Sequence, residues 1–126
     1  RSLTWKDKQC NMVGAIPGDV VMHEKPQGRG YVQLSETGLS PWPEIGEGYS
    51  QKVISAHEFH YSALAELPAG FEFAYRVERG IGLDGEHDGL RYRNLLASYA
   101  HLRDTRSHPW AQRFVKFVRE CRDNRS

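Results

Sequence analysis

The chain has 126 residues, enough for one compact domain with a real core and too few for two. Its 17 basic and 16 acidic residues leave a formal net charge of +1, a near-balance that gives no electrostatic ground for a nucleic-acid partner. No apolar run approaches the roughly 20 residues of a membrane span, and Arg1, Lys6 and Lys8 lead into mixed polar sequence with no signal peptide's apolar stretch.

A cytoplasmic protein with no membrane partner is therefore expected. The chain opens on Arg1 with no initiator methionine, which points to a piece of something longer, although processing or trimming would look the same. Cys10 and Cys121 stand near opposite ends and match neither a zinc knuckle nor a disulfide framework. Reduced thiols are the expectation.

Taken in order, Met12-Val13-Gly14-Ala15-Ile16 reads as an apolar strand closed by a Pro17-Gly18 turn, and Val20-Val21-Met22 as a second short strand. Pro26 to Gly30 is turn-rich, and Gly30-Tyr31-Val32-Gln33-Leu34 alternates as a half-buried strand does. Residues 35–50 carry Gly38, Pro41, Pro43, Gly46 and Gly48 and read as a loop. Trp42, between two of those prolines, is a surface anchor, a lid or a plug over the edge of the core.

Strand signals return at Lys52-Val53-Ile54-Ser55 and from Phe71 to Val77, where Phe71, Phe73, Tyr75 and Val77 fall on one face. Asp84-Gly85 and Asp88-Gly89 read as hairpin turns, and Leu90 to Ala100 supplies one or two more strands. Gly80 to Gly89 is glycine-rich but lacks the Lys-Ser/Thr pair of a phosphate loop. The last element is a helix, with Ser107 as cap, Pro109 in the first turn, and Ala111, Phe114, Val115, Val118 and Cys121 forming its buried stripe. The whole is strand-rich with a terminal helix. An independent α+β unit would read this way, and so would the second half of a larger α/β domain.

Two stretches can carry chemistry. In Ala56-His57-Glu58-Phe59-His60-Tyr61-Ser62, a strand would send His57 and Phe59 one way and Glu58 and His60 the other. A helix would place both histidines on one face. His-Glu-x-His is one residue short of the zincin pattern, which needs a helix, whereas the β-branched residues upstream favour a strand, so no metal site is expected. Hydrogen-bonded histidines closing a strand are the plain alternative to a functional cluster. The second stretch, Leu95 to Leu102, ends an apolar strand in His101 just before a loop. Such a placement suits a general base, fixed on one side and open on the other, although the pattern alone favours a satisfied surface histidine. Cys10 lacks a glycine-rich elbow and Cys121 lies in the helix, so a base at His101 would need a cysteine outside this chain.

Met12-Val13-Gly14 with Pro17, then Arg29-Gly30-Tyr31, His57-Glu58-Phe59-His60-Tyr61-Ser62 and Ala97-Ser98-Tyr99-Ala100-His101 resemble, in this order, the glutaminase domain of the cobyrinic acid a,c-diamide synthases. The resemblance covers nearly the whole chain from about Met12, and the His-Glu-Phe-His-Tyr-Ser block is its most specific part. It implies a single partial domain over residues 1–126: the strand-rich C-terminal portion of a class I glutamine amidotransferase-like α/β (or α+β) domain, mostly antiparallel, without the upstream half that carries the nucleophile. It also implies a parent amidoligase using glutamine, with ATP and magnesium bound in a separate N-terminal domain, to amidate a tetrapyrrole carboxylate. No cofactor is expected in this chain. His101 matches the histidine that activates the cysteine, while His57, Glu58 and His60 match a polar block near the active site.

Two departures stand out: Ser55-Ala56 replaces the usual Arg-Gly, and Leu102-Arg103-Asp104 stands where many members read Leu-His-Phe. A paralogue acting on another tetrapyrrole, such as sirohaem, fits these as well. The rival readings are a non-catalytic binding or interaction module of the same fold, and a small metallohydrolase built on His57, His60 and Glu58. Apolar surface left exposed where the missing half packs would favour a homodimer.

Overall fold

The computed structural model describes residues 1–45 and 53–125. Ten strands and one helix follow in order: β1 (Ser2–Trp5), β2 (Lys8–Asn11), β3 (Asp19–Met22), β4 (Gly28–Glu36), β5 (Ile54–His60), β6 (Ser62–Ala65), β7 (Glu72–Arg79), β8 (His87–Tyr92), β9 (Leu95–Ala97), β10 (His101–Leu102) and α1 (Trp110–Asp123). They form a four-stranded sheet, β2-β1-β3-β6, and a six-stranded sheet, β10-β5-β4-β7-β8-β9. Every pairing is antiparallel except β1 with β3. This is the strand-rich, mostly antiparallel fold with a C-terminal helix that the sequence implied.

Alternation makes the core. In β5, Ile54, Ala56, Glu58 and His60 are buried while Ser55, His57 and Phe59 are exposed, the two-residue period of a strand with one wet face. Val32 and Leu34 of β4 pair with Ala56 and Ile54 and join Ala74, Tyr75 and Ala100 in the core, with Val77, Leu96 and Leu102 packed against it.

The two edges of the six-stranded sheet are consecutive in the chain, since β9 ends at Ala97 and β10 begins at His101. Four residue steps reach at most about 14 Å, whereas five strand spacings of a flat sheet come to about 24 Å. The sheet therefore curls, and the bend at residues 98–100 draws its two edges together around the core.

Several expectations are corrected. Met12 to Ile16 is not a strand: residues 12–14 have no regular structure, residues 15–17 bend, and Val13 is fully exposed. The strands lie earlier, in the β1–β2 hairpin, which turns at Lys6 with φ 55°. Because β2 is exposed throughout, it buries no face and leaves no alternation in the sequence to read. β6 was also unforeseen. It continues directly from β5 after a bend at Tyr61 and pairs with β3, so the chain changes sheet within one residue.

Asp84-Gly85 lies in the β7–β8 connection, where the Asp84 carboxylate accepts the backbone N–H groups of Glu86 (2.9 Å) and His87 (2.6 Å). Asp88-Gly89 is no turn. It lies within β8 with Asp88 wholly buried, and the next turn falls at Arg93-Asn94, Arg93 having φ 54°. Of the four residues expected on one face, Phe71 lies before β7, and within β7 the alternation is broken, with Ala74 and Tyr75 buried in succession between half-buried Phe73 and Val77. The expected strand at Lys52 to Ser55 begins at Ile54, and Gly46, Gly48 and Lys52 lie outside the described residues.

The helix is present, but Ser107 does not cap it. Pro109 is the N-cap residue without a side-chain bond, and Asp104 accepts the Ala111 N–H at 3.1 Å in its place. Nor is the apolar stripe buried: Arg113 is the buried residue of α1, and Phe114, Val115 and Val118 are exposed. The reason is the mode of docking. Trp42 stacks on Trp110 and meets Phe114 edge-on, so it anchors the helix. Arg113 donates to the Glu36 carboxylate (2.6 Å) and to the carbonyls of Trp42 and Pro43 (both 3.1 Å). The first turns are held this way, while Val115 and Val118 stay exposed. No helix among the described residues is long and apolar enough to cross a membrane.

Candidate functional site

Three neighbouring strands of the six-stranded sheet carry a row of side chains on its outer face. Register places Tyr31 of β4 opposite His57 of β5, and His57 opposite His101 of β10. All three are exposed, because residues directly opposite share a face. The imidazoles of His57 and His101 lie with ring centroids 4.7 Å apart, and neither ring has a hydrogen-bond partner among the described residues. Arg29 and Phe59 form the next pair, and Tyr61 packs edge-on to Phe59. Two imidazoles thus stand side by side on an open face that also carries Tyr31 and Phe59.

The inner face of β5 is a different environment. The Glu58 carboxylate is buried and accepts the backbone N–H of Ile81 (2.8 Å) and of Gly82 (2.9 Å). It also lies 3.2 Å from His60 Nε2, whose Nδ1 is 2.8 Å from the Ser62 carbonyl. Both nitrogens of His60 therefore lie within hydrogen-bond distance of an oxygen. His60 stacks on Tyr99 at a centroid distance of 3.9 Å, and the Tyr99 hydroxyl bonds Ser62 Oγ at 2.8 Å.

Gly28 makes room for this pair. A Cβ there would lie 2.7 Å from the Glu58 carboxyl carbon and closer still to His60 Nε2. The assembly ties the end of β5 to the β7–β8 connection and to Tyr99.

The structure therefore divides the residues that the sequence singled out. His57 and His101 come together on the open face, while Glu58 and His60 sit on the opposite face of the same strand, as strand alternation requires. His101 opens β10 instead of ending a strand. Cys10 is exposed on the edge strand of the other sheet, and Cys121 lies in α1. Among the described residues no group of three or more His, Cys, Asp or Glu side chains is placed to hold a metal ion.

Sequence reasoning missed Asp88. Wholly buried on β8, it accepts Ser98 Oγ (2.7 Å), Tyr99 N–H (3.1 Å) and Ala100 N–H (2.8 Å). An Asp-Gly pair is so strong a turn signal that it hid a carboxylate inside a strand. Glycine is required there for packing: φ at Gly89 is 66°, and a Cβ would lie 2.5 Å from the Tyr75 ring.

Comparison with known proteins gives the class first: residues 3–107 match a glutamine amidotransferase domain. The chain belongs to the family described as the CobB/CobQ-like glutamine amidotransferase domain. It is 44% identical over 118 residues to a cobyrinate a,c-diamide synthase of Magnetococcus marinus, covering 94% of this chain and 24% of that protein. A protein of the same name from Halobacterium salinarum is 38% identical over 93% of this chain and 24% of its own length. Another from Methanosphaera stadtmanae is 46% identical over 71% of this chain and 19% of its own. The chain thus spans about a quarter of the length of the first two. No solved structure matches it.

Proposed function

We propose that this chain works as part of a glutamine-hydrolysing, ATP-dependent amidoligase that amidates a tetrapyrrole carboxylate, with His101 as the general base of its glutaminase site. Family membership and the names of the relatives support the reaction class. The observation that carries the residue assignment is the placing of His101: exposed on the open face, without a hydrogen-bond partner among the described residues, opposite His57 of β5.

In this reading the nucleophile is a cysteine contributed from outside this sequence. His101 takes the thiol proton as sulfur attacks the glutamine carboxamide, and returns it to nitrogen as ammonia leaves and the thioester forms. It then activates the water that hydrolyses the thioester to glutamate. ATP and magnesium belong to a separate domain, where they activate the acceptor carboxylate for attack by that ammonia. The isolated chain is inert toward glutamine.

The test is glutamate release by the full-length protein and its His101→Ala variant. A loss of at least about 100-fold is expected for removing a general base. Unchanged hydrolysis would leave the fold serving as a binding module. Mass analysis of the amidated product then identifies the tetrapyrrole.

A further inference from the structure

The bend that carries His101 is held from inside the sheet by one side chain. Residues 98–100 turn the chain from β9 to β10, and all three bond to the Asp88 carboxylate, through Ser98 Oγ (2.7 Å), Tyr99 N–H (3.1 Å) and Ala100 N–H (2.8 Å). These are charge-assisted bonds to a wholly buried carboxylate, and such bonds are stronger than those between neutral groups. The Ala100 N–H is the last donor before His101, so the bond it makes sets the direction in which β10 leaves the bend. Ladder pairing adds little control, because β10 is two residues long and pairs with β5 only at His101 and Leu102. Asp88 itself cannot shift, since it is wholly buried on a strand paired on both sides.

We infer that Asp88 is a positioning residue for the glutaminase site: it fixes residues 98–100 so that the His101 imidazole stands on the outer face beside His57. The inference rests on His101 being the base, but its geometric half does not. Asp88 touches neither substrate nor nucleophile and acts through the backbone alone. Its removal releases the bend, and the 4.7 Å separation of the two imidazoles is no longer maintained. A base displaced by 1 Å costs about 100-fold in rate with binding intact.

The experiment has two readouts on Asp88→Asn, which keeps the shape and removes the charge. In the 126-residue chain, NMR reads the cross-relaxation between the His57 and His101 rings, with the methyl groups of Leu34 and Ile54 reporting the core. The expected result is loss of the ring contact with the core signals in place. In the full-length protein, kcat for glutamine hydrolysis is expected to fall about 100-fold with KM unchanged.

A ring contact of native strength in Asp88→Asn would overturn the inference. If that variant loses its core signals, Ser98→Ala decides, because it removes one of the three bonds and leaves the backbone pair. A weakened ring contact supports the inference and an unchanged one sinks it. Should the ring contact behave as expected while His101→Ala keeps full activity, the placement stands and the role of His101 as base falls.

Discussion

Replacing Glu58 by glutamine tests what its inner-face position means. The carboxylate accepts two backbone donors and faces a ring nitrogen: Ile81 N–H at 2.8 Å on one oxygen, and Gly82 N–H at 2.9 Å with His60 Nε2 at 3.2 Å on the other. A glutamine of the same shape offers one oxygen and one NH2 group. Whichever way it is turned, one backbone N–H faces an amide nitrogen and loses its acceptor. A buried donor left unpaired costs about 1–3 kcal/mol, and losing the charge weakens the bonds that remain.

We therefore expect Glu58→Gln to lower stability by about 2 kcal/mol. Urea unfolding reads this as a midpoint lower by roughly 1 M, given a slope of about 2 kcal/mol per molar. Glu58→Ala orphans both backbone donors and leaves His60 Nε2 without its carboxylate neighbour, and about 3–5 kcal/mol is a large share of the 5–15 kcal/mol that holds a typical domain. A Glu58→Gln midpoint equal to that of the native protein would refute the argument that this carboxylate pins β5 to the β7–β8 connection.

Two further outcomes follow from the anchoring of α1. Arg113→Met strands the Glu36 carboxylate and two carbonyls; it should cost about 3 kcal/mol and shift tryptophan fluorescence to the red as the Trp42–Trp110 stack opens. His108, buried with neither ring nitrogen bonded, has its pKa lowered from 6.5 by burial, with Arg113 adding to the depression and Glu36 and Asp104 opposing it. The unfolded chain then takes up the proton more readily than the folded one, so this contribution to stability is complete above pH 6.5 and is lost as pH falls below it. Thermal unfolding of the native protein and His108→Phe at pH 7.5 and 5.5 should show a smaller acid loss in the variant, and equal losses would contradict the assignment.

What the sequence revealed was what strand periodicity can carry. The split of His57 and Phe59 from Glu58 and His60 is legible because β5 keeps a two-residue period along its whole length, with one face wet. The histidine pair itself was not legible. It depends on the register of β10 against β5, set by curling of the sheet between residues far apart in the chain. The β1–β2 hairpin escaped because an exposed edge strand has no apolar face, and Met12-Val13 misled because apolar residues also occur in exposed segments. The helix gave its position through spacing, but not its burial, since spacing marks an apolar stripe without naming what covers it. Asp88 was hidden by the chemistry of its neighbour, Gly89, which serves close packing against Tyr75 and not a turn.

The proposed action of His101 on a cysteine thiol is tested most directly by the rate at which iodoacetamide alkylates that cysteine in the full-length protein. The alkylation should be fast in the native protein and should slow markedly in His101→Ala, because removing the base leaves the sulfur as a thiol. An equal rate in the two proteins would mean that His101 does not activate the nucleophile.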